Sequence, residues 1–139
     1  MRRRRSETRA RARALQALYA WDVRGQVSLD TLATRMWDDL NVPADERLRA
    51  ARIIRTVVEQ HQAIDDLLRD VTTNWRLERV GAIERSVMRL AAAELLRDEE
   101  PPRVVLQEAV ILAERFGTAQ SARFVNGVID AVARRLGRL

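Results

Sequence analysis

Apolar residues recur at every third or fourth position along most of this chain, the period of amphipathic helices and not of strands. From about Glu7 to Arg24, Ala14, Leu15, Ala17, Leu18 and Trp21 share one arc, with Arg9, Arg13 and Gln16 on the opposite side. The first predicted helix therefore has a core face and a basic face. Gly25 ends it. Ser28 is placed to cap a second helix carrying Leu29, Leu32, Met36 and Leu40, which Asn41 and Pro43 close. The third and longest helix covers roughly residues 45–71, where Val57, His61, Ile64 and Leu68 form a stripe that includes the single histidine.

From Thr72 through Trp75 to Gly81 the helical pattern weakens, and it resumes from Ala82 to about Asp98 with Ile83, Val87, Leu90 and Ala91 on one face. Pro101 and Pro102 cannot continue that helix, but Pro102 suits the first turn of the next, where its missing amide hydrogen costs nothing. The fifth helix runs to Phe116, whose ring completes the core stripe of Val105, Ala109, Leu112 and Ala113. Gly117 is its predicted C-terminal cap, and Thr118 or Ser121 starts a last helix with Val125, Val128, Ile129, Val132 and Leu136 on its buried side. The pattern thus predicts an all-α protein of six major helices and one short extra turn.

Composition agrees with this and narrows the function. The 139 residues, 47% hydrophobic, suffice for one core and make a single domain over 1–139 the expectation. With no cysteine and one histidine, disulfides, thiolate metal sites, a cysteine nucleophile and multi-histidine metal clusters are excluded. A reducing cytoplasm is compatible with that. The net charge of +5 is unevenly placed: the first 13 residues hold Arg2, Arg3, Arg4, Arg5, Arg9, Arg11 and Arg13 against Glu7, whereas the remainder carries a net −1. An asymmetric basic arm is the usual footprint of a polyanion binder, because each neutralised phosphate releases counterions. All 25 basic residues are arginine, which reads as a compositional habit rather than a site signal.

No apolar run after the basic start is long enough for a signal peptide, and an amphipathic transit peptide is the weaker alternative for the arm. No stretch has the roughly 18 apolar residues of a membrane span. Catalytic motifs are missing: there is no Gly-rich phosphate loop, no G-x-S-x-G elbow and no H-E-x-x-H, and the four serines lack a histidine partner because His61 stands on a core stripe. The carboxylate pairs Asp38 with Asp39, Asp65 with Asp66, and Asp98 with Glu99 and Glu100 fall in stretches that read as solvated, away from any pocket that would shift a pKa. Neither a cofactor nor an enzyme is expected.

Three ordered stretches carry a resemblance. The first helix reads ARARALQALYAWD over Ala10 to Asp22, the middle reads NWRLERVGAIERSVMRLAAAELL over Asn74 to Leu96, and the end reads PRVVLQEAVILAERFGTAQSARFVNGVIDAVARRL over Pro102 to Leu136. In order, spacing and total length they resemble the bacterial transcription antitermination factors of the NusB family. Ala93 stands where that family usually has tyrosine, Gln107 where asparagine is common, and Met88 where leucine is common. Losing an aromatic at Ala93 requires a neighbour to fill its volume or changes the edge of a partner surface.

The resemblance implies two packed helical lobes, about 1–73 and 74–139, with residues 1–6 a flexible basic arm. It also implies pairing with the small-subunit ribosomal protein NusE, binding to the single-stranded boxA element of nascent RNA, and service to the RNA polymerase antitermination complex on ribosomal RNA operons. A homodimer is a further partner the reading allows. Arginine suits such RNA, since its planar guanidinium can both grip phosphate with two hydrogen bonds and stack on an exposed base. The RNA-binding candidates are Arg2, Arg3, Arg4, Arg5, Arg9, Arg11, Arg13 and Gln16, with Phe124, beside Arg123, as a stacking ring or else a boundary core aromatic. Tyr19 and Glu84, carried over from matching family positions, are the candidates for the NusE surface. Trp75 is expected as a plug between the lobes, because large aromatics dominate core burial. Two competing functions stand beside this one: a protein-binding helical adaptor whose arm is only a solvated tail, and the RNA module of a ribosomal RNA methyltransferase system.

Overall fold

A computed structural model of the chain describes residues 2–139, with side chains from Arg5 onward. Its elements follow in the order α1 Arg2–Arg24, α2 Leu29–Asp39, α3 Ala44–Val71, a 3₁₀ turn at Leu77–Arg79, α4 Ala82–Arg97, α5 Pro102–Phe116 and α6 Ala119–Arg135. Six helices and one extra turn are what the apolar period predicts. One boundary differs. α1 begins ahead of Glu7, and Ser6, expected in a flexible arm, is buried with its hydroxyl donating to Asp45 Oδ2 at 2.9 Å.

The stops and starts have local causes. At Gly25 the backbone turns left-handed at φ +70°, which lets its amide reach the Trp21 carbonyl at 2.8 Å and close α1. Pro102 occupies the first turn of α5 as predicted. Gly117 ends α5 without a left-handed φ; it is needed because a Cβ there would stand 2.8 Å from the Ala113 carbonyl oxygen and from Ser121 Oγ. Directly after it, Thr118 and Ser121 cap α6 reciprocally, each side chain meeting the other's backbone amide at 3.0 and 3.2 Å. α3 is broken at Gln60, whose φ of −124° and ψ of 24° leave the helical region.

α4 is the central helix, buried at every position from Ser86 to Leu95. It packs against α1, α3, α5 and α6, while α1 also contacts α2 and α3. The run Ala91, Ala92, Ala93 lets neighbouring backbones approach, and Ala93 is fully buried, so neighbours have closed over the volume of the missing aromatic. Leu15, Leu18, Ile64, Leu68, Leu90, Leu95, Leu112 and Ile129 are each less than 2% exposed. Each such side chain contributes about 1.5–3 kcal/mol of burial. Phe116 is only half-buried at the core margin, with the Arg115 guanidinium 5.1 Å over its ring. Among the described residues no helix is long and apolar enough to cross a membrane.

Candidate nucleic-acid interface

Among its described side chains, α1, packed against α2, α3 and α4, keeps Arg5, Arg9, Tyr19 and Val23 exposed along one stripe with Gln16 half-buried between them, and Arg24 exposed at its end. Arg9 and Arg13 share a single acid, since Glu46 lies 3.3 Å from Arg9 Nε through one oxygen and 3.7 Å from Arg13 Nε through the other. Asp45, next to Glu46 in the chain, also feels the charge of Arg9. Arg9 keeps 57% of its side chain in solvent, whereas Arg13 keeps 29% and also donates to Gln16 Oε1 at 3.4 Å. The side chains of Arg2, Arg3 and Arg4, expected at the RNA, lie outside the described residues.

Arg11 does not belong to this surface. It is buried, its Nε donates to both carboxylate oxygens of Glu94 at 2.9 and 3.1 Å, and its Nη1 lies 3.6 Å from Glu108. The expectation that it grips RNA is corrected, because its charge is spent inside the protein. Its position carried the signal, as Arg11, Leu15 and Leu18 step by four and three along the buried arc. Burial pushes the Glu94 carboxyl up, and the opposing charge and hydrogen bonds of Arg11 do not fully cancel it.

A second buried ion network joins the far end of α1 to α3 and α4. Asp22 accepts from Arg85 at 2.9 and 2.6 Å and from Arg89 at 2.7 Å, and Arg89 forms a two-pronged pair with Asp65 at 2.9 and 3.0 Å. Burial alone would raise the Asp22 carboxyl, but the hydrogen bonds from Arg85 and Arg89 overcome it and hold the group below the usual carboxylate range. Asp65, expected to be solvated, is buried here instead. Beside the network, Trp21 stacks edge-on against His61 at 4.9 Å between centroids and lies 5.5 Å under the Arg89 guanidinium. His61 sits half-buried at the margin of its stripe, with Nε2 3.1 Å from Asp65.

Tyr19 is 41% exposed, so its ring stands off the core. Glu84, in the first turn of α4, is half-buried, and its Oε2 has no hydrogen-bond partner among the described residues. Phe124 rests half-buried against the core. Trp75 is the main departure from expectation: 64% exposed, it plugs nothing, and its ring stands edge-to-face with Phe124, centroids 6.0 Å apart and planes at 78°.

The profile of the NusB family matches residues 8–134. The chain belongs to that family of transcription antitermination proteins. It is 42% identical over 130 residues to the NusB of Anaeromyxobacter dehalogenans (strain 2CP-1), covering 93% of this chain and 91% of that protein. It is equally identical over 130 residues to the NusB of Sorangium cellulosum, covering 93% and 92%. Among solved structures, T. maritima NusB superposes with a TM-score of 0.85 at 32% identity, covering 92% of this chain and 90% of that one. A crystal structure of NusB and NusE in complex with double-stranded RNA superposes with a TM-score of 0.83 at 30% identity, covering 97% and 99%. Among the described arginines of α1, Arg5, Arg9 and Arg24 face solvent, Arg13 is half-buried, and Arg11 braces the core.

Proposed function

We propose that this chain binds single-stranded boxA-like RNA jointly with the ribosomal protein NusE, and thereby serves the RNA polymerase antitermination complex on ribosomal RNA operons. It acts as a cytoplasmic binding protein, without a cofactor and not as an enzyme. The observation that carries the reading is the solvent stripe of α1, where Arg5, Arg9, Gln16 and Tyr19 lie along one line of one helix. A strand held by the guanidiniums would then run toward the ring assigned to NusE. Tyr19 and the unpartnered Glu84 carboxylate are the residues assigned to that partner, and Phe124 is assigned to the RNA. The solved complex of a relative with NusE and double-stranded RNA supports NusE and RNA as the classes of partner.

A gel-shift with a boxA-like RNA, with and without NusE, across a salt series tests it. Affinity should rise with NusE and fall with salt by about 0.7 log units per log unit for each phosphate engaged on a single strand. A flat salt response, or no retention of RNA even with NusE present, would favour a protein-binding adaptor instead.

A further inference from the structure

We propose that Trp75 and Phe124 form a corner of two rings that takes one unpaired nucleobase, with Arg76 and Arg123 drawing in the phosphates on either side. The inference rests on the reading of the chain as an RNA binder and adds a base-contacting residue, Trp75, that lies off α1.

The first argument is the contrast in how Trp75 is held. Its backbone amide donates to the Thr72 carbonyl at 3.0 Å, and Thr72 is itself buried with its hydroxyl bonded to the Leu68 carbonyl at 2.7 Å. The main chain is pinned by a turn while the ring projects into water. An exposed indole on an anchored backbone is an informative exception to the burial of large aromatics. Phe124, half-buried against the core, fixes the second wall, so a planar base laid on one ring meets the other across the corner.

The second argument is the shape and charge of the groove beneath. It has a volume of about 300 Å³, at the small end of ligand sites, and Thr73, Arg123, Gly127 and Val128 line it along with the two rings. No carboxylate lines it. Arg123 lines the groove and Arg76 follows Trp75 in the chain; both are exposed and have no ion pair or side-chain hydrogen bond among the described residues, although Arg76 acts through its charge on the Glu78 carboxylate. Rings with exposed cations beside them match a nucleotide better than an apolar peptide, because they serve base and phosphate together. Gly127 supplies an independent sign. It sits inside α6, where glycine weakens a helix relative to alanine, yet a Cβ there would meet nothing within 4 Å. Packing does not demand the glycine, and its effect is to leave the groove floor open.

A base inside a duplex is already stacked and cannot enter the corner, so the site should favour single strands. The test uses the full chain with NusE and a short boxA-like RNA carrying one abasic nucleotide at each position in turn, together with the same sequence as a duplex. One abasic position should weaken wild-type binding about tenfold, near the low end for one base on one ring. Trp75→Ala should lose a similar factor on the intact RNA and show no further penalty at that position, whereas Trp75→Phe should retain most of the affinity. Gly127→Leu, which extends a side chain into the groove from a position where a Cβ meets nothing within 4 Å, should also weaken binding, and tryptophan fluorescence should be quenched by the single strand, not by the duplex, and not in Trp75→Ala. Trp75→Ala with wild-type affinity and an unchanged abasic profile would overturn the inference and leave RNA binding by α1 intact. Weakened NusE binding with RNA affinity unaltered would overturn it in favour of a protein contact. Failure of the wild type to bind RNA at any salt would remove the underlying reading, and this one with it.

Discussion

Arg11 and Glu94 form an ion pair inside the protein, one Nε–H shared between both carboxylate oxygens at 2.9 and 3.1 Å, across 83 residues of sequence. The pair joins α1 to the central helix α4, and Glu108 of α5 completes it. Removing the cation would leave the buried Glu94 carboxylate without its partner and Glu108 with only the Thr8 hydroxyl, a change that costs about 3–5 kcal/mol. Arg11→Gln should therefore lower stability by roughly that amount, while the exposed Arg9→Gln should stay within about 1 kcal/mol of wild type. Urea unfolding of the two variants checks this. Equal effects would mean that the two arginines do the same work.

Asp22 gives the fold a pH dependence on the acid side. Its native carboxyl titrates below the ordinary range because the hydrogen bonds of Arg85 and Arg89 outweigh the cost of burial. A depressed native value means that the stabilisation is present above the ordinary carboxylate range, at about pH 4, and is lost as the pH falls through the lower native value. Asp22→Asn should reduce stability by about 3 kcal/mol at neutral pH and flatten the acid limb relative to wild type. Thermal melts across the acid range would show parallel limbs for the two proteins if Asp22 were not responsible.

The helices were legible in the sequence because an apolar period of three and four runs through each of them and a glycine, a proline or a hydroxyl residue stands near most of their ends. The site was only partly legible. Arg11 and Asp65 occupy stripe positions, yet their charge argued for solvent, and only partners 83 and 24 residues away make their burial tolerable. Residue type outweighed position in both readings. For Trp75 neither signal helped: it stands in a non-helical connector where no period assigns a face, and its size argued for burial. Tyr19 was legible because it falls off a well-defined arc.

The partner surface can be separated from the RNA surface by charge placed at Tyr19. With 41% of its area in solvent, the ring can be replaced without opening the core. Tyr19→Asp should cut NusE affinity at least tenfold, the loss expected when an aromatic anchor is removed, with helicity and binding of RNA alone nearly unchanged. Glu84→Gln should weaken NusE binding more mildly, since it removes a charge and keeps the acceptor. Isothermal titration with purified NusE measures both, and unaltered affinity in Tyr19→Asp would move the partner elsewhere.

Glu46 competes with phosphate for Arg9 and Arg13, because its two oxygens face both guanidiniums at 3.3 and 3.7 Å. If α1 grips the RNA backbone, each of Arg5→Ala and Arg9→Ala should reduce the slope of log affinity against log salt by about 0.7. Glu46→Gln should act in the opposite sense, strengthening RNA binding several-fold at low salt by freeing both cations, at some cost to stability where its carboxylate is buried. The two directions together discriminate a phosphate contact from a general loss of fold, which could only weaken binding. An unchanged slope in the Arg5→Ala, Arg9→Ala double variant, with no gain in Glu46→Gln, would remove the described part of α1 from the RNA surface.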